Sequence, residues 1–193
     1  MSQARFGEVD SEAALESEHL VLEPLLPHHA ARTFALWQDD RLYTFTPVEP
    51  PTELRSLEAR YRKLTTRRSP DGTEAWLNWL ARERVSGEYI AHIQVTVAPD
   101  SSGRLGYFTF VPYWRRGYAY EGCQAVIRWL IEQGVEKLVA EVDTRNVASI
   151  RLIEKLGFRR VAYVPHAGCI RGVESDDYRY ALTASSMRRG SDV

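Results

Sequence analysis

Cysteine is scarce in this sequence: Cys123 and Cys169 are the two it has in 193 residues. They build no disulfide framework and show no zinc-ligand spacing, so no metal is expected. Cys123 falls on an apolar helical face, where a thiol is a small core residue and not a nucleophile. An excess of positive charge is lacking as well. Lys and Arg number 25 against 26 Asp and Glu, a formal net charge of −1, so no global basic field points to nucleic acid. The apolar runs are far too short to span a membrane, and the first residues are polar and acidic, unlike a signal peptide. A cytoplasmic location and no membrane or nucleic-acid partner are the expectation. There is no internal repeat and no low-complexity tract.

What is present is ordinary globular material, 44% hydrophobic and 26% charged, in a length suited to one domain with a substantial core. The ends are polar, so the division expected is a flexible segment 1–16, a single domain 17–184 and a flexible tail 185–193. Inside the domain, strand patterns fall at His19–Leu25, Glu74–Glu83 and Tyr89–Val97, the last two joined as a hairpin through Ser86–Gly87. Helical spacing appears at Ala30–Trp37 and Glu53–Arg67. Near the other end, Phe158–Val164 and Asp176–Leu182 read as strands, with Pro165–Glu174 as a loop between them. The class is α+β, a mixed sheet flanked by helices.

The most informative stretch is Phe108–Glu121. Leu105–Val111 is apolar and aromatic, as a buried strand is. Pro112 ends it, because proline cannot donate to a sheet ladder. After Arg115, Arg116, Gly117 and Ala119, the residues Cys123, Val126, Ile127, Leu130 and Ile131 recur on one helical face. A helix N-terminus holds unpartnered N–H groups and partial positive charge. Small residues there let an anion approach, and a phosphate or pyrophosphate fits. An ordinary strand-to-helix connection explains this stretch alone equally well. The next segment repeats the pattern: a strand at Lys137–Val142, Asn146 as helix cap, Ile150, Ile153 and Leu156 on one face, and Gly157 as stop.

The two motifs together resemble the Gcn5-related N-acetyltransferase (GNAT) superfamily. Gly117 and Ala119 fill the last two positions of its Arg/Gln-x-x-Gly-x-Gly/Ala motif, with Trp114 in the first. That tryptophan, and Asn-x-x-Ser followed by Glu-Lys-Leu-Gly-Phe, are similar to the ribosomal-protein N-acetyltransferase (RimJ/RimL-type) branch. The resemblance runs from about Ser17 to Leu182. It implies a three-layer fold whose mixed, mostly antiparallel sheet has a splayed parallel strand pair in the middle. It also implies acetyl-coenzyme A as cosubstrate and direct attack of an amine on the thioester, with no covalent enzyme intermediate.

Carried over by position, main-chain groups of Phe110 and Val111 meet pantetheine, and N–H groups of Arg115, Arg116, Gly117, Tyr118 and Ala119 hold the pyrophosphate. Arg115 often corresponds to glycine in the family and narrows the allowed backbone. Asn146 and Ser149 lie near the pantetheine arm and the sulfur, although capping alone explains Asn146. Many members carry a tyrosine four residues after the Ser149 position as acid for the departing thiolate. Here that residue is Ile153, so Ser149, or a water it holds, is the substitute. For the general base the candidates are Glu141, on the second motif's strand, and His92, which shares a strand face with Gln94. Tyr43, Phe45, Trp76 and Trp79 are candidates for the acceptor wall, although such aromatics are most often core. The acceptor expected is a protein or peptide N-terminus or a small amine, and the protein a monomer or homodimer. A coenzyme A-binding sensor without turnover is the other reading.

Overall fold

The computed structural model describes residues 9–188. The expected loose ends fall partly outside that range, at residues 1–8 and 189–193. Their inner parts are in regular structure: strand β1 (Leu15–Glu16) pairs with β2 (Leu20–Pro24), and helix α5 (Ala184–Arg188) closes the described chain. The chain between them runs through α1 (His29–Thr33), α2 (Leu54–Leu64), β3 (Ala75–Glu83), β4 (Tyr89–Val97) and β5 (Ser102–Thr109). It continues with α3 (Tyr118–Glu132), β6 (Lys137–Asp143), α4 (Val147–Lys155), β7 (Arg159–Ile170) and β8 (Val173–Thr183). Short 3-10 turns cover Phe34–Gln38, Asp40–Tyr43 and Val111–Tyr113. The last holds Pro112, which ends β5 as its missing N–H requires.

The strands make one eight-stranded sheet in the order β1-β2-β3-β4-β5-β6-β8-β7, and β5–β6 is its parallel pair. Helices α3 and α4 cover one face. There Cys123, Val126, Ile127, Leu130 and Ile153 meet Leu77, Trp79, Ile93, Val95, Leu138, Ala140 and Val142. Among the described residues the other face is covered over its first half, where α1, α2 and the turns bring Trp37, Tyr43, Leu57 and Tyr61 against Leu80 and Phe110. Central strands are therefore buried on both sides, and the register of β3 with β4 is fixed from each.

The parallel pair is short. Only Ser102, Gly103 and Arg104 match Lys137, Leu138 and Val139, and beyond them the two strands diverge. Gly103 is packed into this seam: an added Cβ would stand 2.6 Å from Leu138 Cδ2 and 3.1 Å from Val95 Cγ1. Gly103→Val is expected to destabilise the protein by about 1–3 kcal/mol through overpacking, to be read as a lower midpoint in urea unfolding.

The segment 165–174, expected as a loop, is an extension of the β7–β8 hairpin. Ile170 pairs with Val173, and the register shifts between Val164 and Gly168. Pro165 and Gly168 sit at this bulge on an edge strand, where a missing donor and a bend are tolerated.

Candidate active site

The divergence of β5 from β6 opens a cleft at the centre of the sheet, with α3 starting on one side and α4 on the other. Gly117 caps α3 with φ +85°, and Arg115, two residues earlier, also has a positive φ of 60°. No side chain caps the helix. The first backbone bond of this turn runs from the Glu121 N–H to the Gly117 carbonyl, so N–H groups before it point outward. A cavity of about 350 Å³ opens there, lined by Arg116, Gly117, Tyr118, Tyr120 and Glu121 of the turn and α3 and by Glu18 and His19. An uncapped, small-residue helix start with two exposed arginines suits a diphosphate. The Trp114 indole N–H donates to the Thr109 carbonyl at 2.6 Å, tying the basic turn to the end of β5. Glu121 is pushed up by burial, but hydrogen bonds from His19 and Ser17 outweigh this and hold it below the usual carboxylate range.

Across the cleft, Asn146 caps α4: its Oδ1 accepts from the Ser149 N–H at 3.1 Å. Asn146 thus performs the capping that the sequence allows. The Ser149 hydroxyl reaches back over the cleft to the Tyr107 hydroxyl of β5, at 2.6 Å. Burial pushes the Tyr107 phenol well up, and it stays neutral.

The β6–β8 half of the sheet presents carboxylates on the face away from α3. Ala140 and Val142 pack toward α3, so Glu141 and Asp143, which alternate with them, point the other way. Asp177 of β8 is the register partner of Asp143. Asp143 is buried and held below the usual range first by Arg145, whose guanidinium bonds both its oxygens at 2.9 and 2.6 Å. Glu141 accepts from Arg179 Nη2 at 2.7 Å. Asp177 makes no side-chain hydrogen bond or ion pair among the described residues. Burial, then the charges of Asp143, Glu141 and Asp176, push its carboxyl up.

Three of the expected site residues, His92, Tyr43 and Trp79, lie elsewhere. His92 is fully buried against Trp37 and Tyr61, its Nε2 3.2 Å from Asn78 Oδ1. Burial, then Arg60, lower it to about 3. It is a neutral core histidine that cannot reach an acceptor. Tyr43 is core too, its hydroxyl donating to the Trp37 carbonyl. Trp79 is on the wrong face, stacked edge-on against Trp129 and donating to the Ala13 carbonyl. Phe45 is exposed and Trp76 half-buried. Phe110 is buried, and its N–H donates to the Ile90 carbonyl of β4, the side away from the cleft. Val111 starts the 3-10 turn beside it. Tyr107, Asp143 and Asp177 were not singled out from sequence. Alternation along β5 would have placed Tyr107 on the Leu105 face, but no spacing links it to a serine 42 residues away.

A splayed central strand pair between two such helix starts has close relatives. The profile of the acetyltransferase (GNAT) domain matches residues 19–159. The chain belongs to the GNAT acetyltransferase family. It is thereby an acyltransferase, in a family that uses acetyl-coenzyme A to modify amine acceptors. Among curated proteins it is 23% identical over 189 residues to FsC-acetyl coenzyme A-N(2)-transacetylase of Aspergillus fumigatus, covering 94% of this chain and 80% of that one. It is 26% identical over 149 residues to the uncharacterized N-acetyltransferase YoaA of Bacillus subtilis, covering 76% and 82%. Among solved structures, a ribosomal L7/L12 alpha-N-protein acetyltransferase in complex with coenzyme A superposes with TM-score 0.79 at 16% identity, covering 89% of this GNAT chain and 98% of its own. A probable GNAT acetyltransferase from Chromobacterium violaceum gives TM-score 0.80 at 20% identity, covering 95% and 92%. Among the described residues of this GNAT protein no group of three or more side chains could hold a metal, and no helix is long and apolar enough to cross a membrane.

Proposed function

We propose that this protein transfers acetyl from acetyl-coenzyme A to a primary amine, on a protein or peptide N-terminus or a small amine-bearing molecule. The observation that carries the reading is the cleft itself: β5 and β6 part after three paired residues, between an uncapped α3 and the Ser149 hydroxyl on α4. In this reading the diphosphate rests on the N–H groups of Arg115 to Ala119, and pantetheine fills the gap beside Phe110 and Val111. Asn146 holds the turn that carries Ser149.

The amine approaches from the face bearing the carboxylates, which favours a cationic acceptor; the bound ammonium first loses one proton to water, and the neutral amine attacks the thioester carbonyl. Of these, Asp143 and Glu141 are held by arginines, and Asp177 is the one without a partner among the described residues. Asp177 takes the proton as the amine's nitrogen–carbon bond forms. The carbon–sulfur bond then breaks, its electron pair going to sulfur. Thiolate is already a tolerable leaving group, since a thiol has an ordinary pKa of about 8.5. A hydrogen bond from Ser149 stabilises it, and solvent protonates it after release.

The acceptor side is bridged at its rim. Arg171, at the tip of the β7–β8 hairpin, donates from Nη1 to Asp40 Oδ2 at 2.8 Å. Both residues are exposed, so the pair adds little stability. Arg171→Ala is expected to keep the melting temperature and to raise KM for the acceptor several-fold more than KM for acetyl-coenzyme A. Steady-state kinetics with each substrate varied will check this.

The function is tested by calorimetric titration with acetyl-coenzyme A, then a free-thiol assay across amines and peptides. Binding with amine-dependent thiol release supports the reading. Binding without release from any acceptor favours a coenzyme A sensor.

A further inference from the structure

We infer that Tyr107 is a positioning residue for the leaving-group site: its phenol donates to Ser149 Oγ and so turns the one proton of that hydroxyl into the cleft. The inference rests on the proposed role of Ser149 at the sulfur.

Ser149 is the third residue of α4 after its cap. The usual partner of a polar side chain there is the backbone N–H of the cap residue. In this chain the Asn146 N–H is already bonded to the Asp143 carbonyl at 2.9 Å, and the Ser149 N–H to the cap side chain at 3.1 Å. The hydroxyl is thereby released from its own helix, and it crosses the cleft to Tyr107 at 2.6 Å. The direction of that bond follows from acidity. A phenol, ordinary pKa near 10, is a far better donor than an aliphatic hydroxyl. Burial holds the phenol protonated, and the titratable group facing it from α3 is Cys123, a thiol likewise kept neutral by burial. With the phenol proton between the two oxygens, the serine proton has to point elsewhere, and the open side is the splay where the thioester would lie. The strand that forms one wall of the cleft thus orients a donor on the opposite wall.

The test is a double-mutant cycle on kcat at saturating acetyl-coenzyme A and acceptor. Tyr107→Phe is expected to lower kcat about tenfold, less than the 100-fold typical of a donor lost at the reacting atoms. KM for acetyl-coenzyme A should stay within about twofold. In a Ser149→Ala background the same change should cost less than about twofold, because the group it orients is gone. Placing 3-fluorotyrosine at 107, a more acidic phenol of nearly the same size, should change kcat when Ser149 is present and leave it unchanged in the Ser149→Ala background; no change in either, or the same change in both, would overturn the inference even where the phenylalanine variant fails to fold. Full kcat in Tyr107→Phe, or an equal loss in both backgrounds, would overturn the inference. If Ser149→Ala alone keeps wild-type turnover while Tyr107→Phe is slow, the Ser149 role has failed instead and Tyr107 acts at the sulfur directly.

Discussion

Asp177→Asn is expected to lower kcat about 100-fold, the usual scale for loss of a general base, without weakening acetyl-coenzyme A binding. The two effects separate because Asp177 lies on β8, on the face proposed for the acceptor, away from the α3 start proposed to receive the diphosphate. The same substitution makes a second, opposite statement about stability. Asp177 is pushed up by burial and by Asp143, Glu141 and Asp176, with Arg179 next but one on its own strand and Val164 opposite it on β7. A carboxyl whose folded pKa lies above its unfolded value costs stability wherever it is ionised. The amide removes that cost, so the variant should melt no lower than wild type at pH 7. The difference should fade as pH falls through the carboxylate range, where wild type also becomes neutral. Activity lost with stability kept or gained marks a functional group. Parallel losses in thermal melts and turnover would mean that Asp177 is structural.

Gly117→Val should raise the Kd for acetyl-coenzyme A about tenfold or more. A Cβ at Gly117 would meet nothing within 4 Å, so crowding inside the protein is not the cause. The cause is φ +85°. A β-branched residue in the left-handed region costs about 1–2 kcal/mol, and a tenfold change in Kd is 1.4 kcal/mol. The turn would relax by rotating the N–H groups of Tyr118 and Ala119 off the anion. Gly117→Ala should fall between valine and wild type. Calorimetry with acetyl-coenzyme A reads the series, and equal affinities would place the diphosphate somewhere other than the α3 start.

Much of this was legible from residues. The strand–turn–helix repeat around Gly117 and Asn146 named the two helix starts, because caps and glycines act locally. Tyr89–Val97 was placed to the residue. Faces were harder. Along β3 the run Leu77–Ala81 is buried without alternation, since α1 and α2 cover one side and α3 the other, so nothing in the pattern said which side Trp79 takes. His92 fell to the same ambiguity: its type suggested a base, and its place among Trp37, Tyr61 and Asn78 makes it core. The hairpin tip was hidden by Pro165 and Gly168, which read as breakers but sit on an edge strand. Tyr107 and Asp177 depend on pairings across the sheet that no local window contains.

The three-residue seam between β5 and β6 also bears on how the chain folds. On one side β1 to β5 pair each strand with its sequence neighbour, and on the other β7 and β8 form a hairpin beside β6. The hairpins β3–β4–β5 and β7–β8 are local pairings, which form fast, while the parallel joint needs a crossover through α3. The halves share one core under α3 but are joined strand to strand by only a few rungs of ladder, and native-state hydrogen exchange should show the amides that bridge β5 and β6 opening at lower cost than those of β3 and β4. If the cosubstrate threads the gap as proposed, it adds the missing rungs, and its binding should slow exchange along β5 and β6 before it is felt elsewhere.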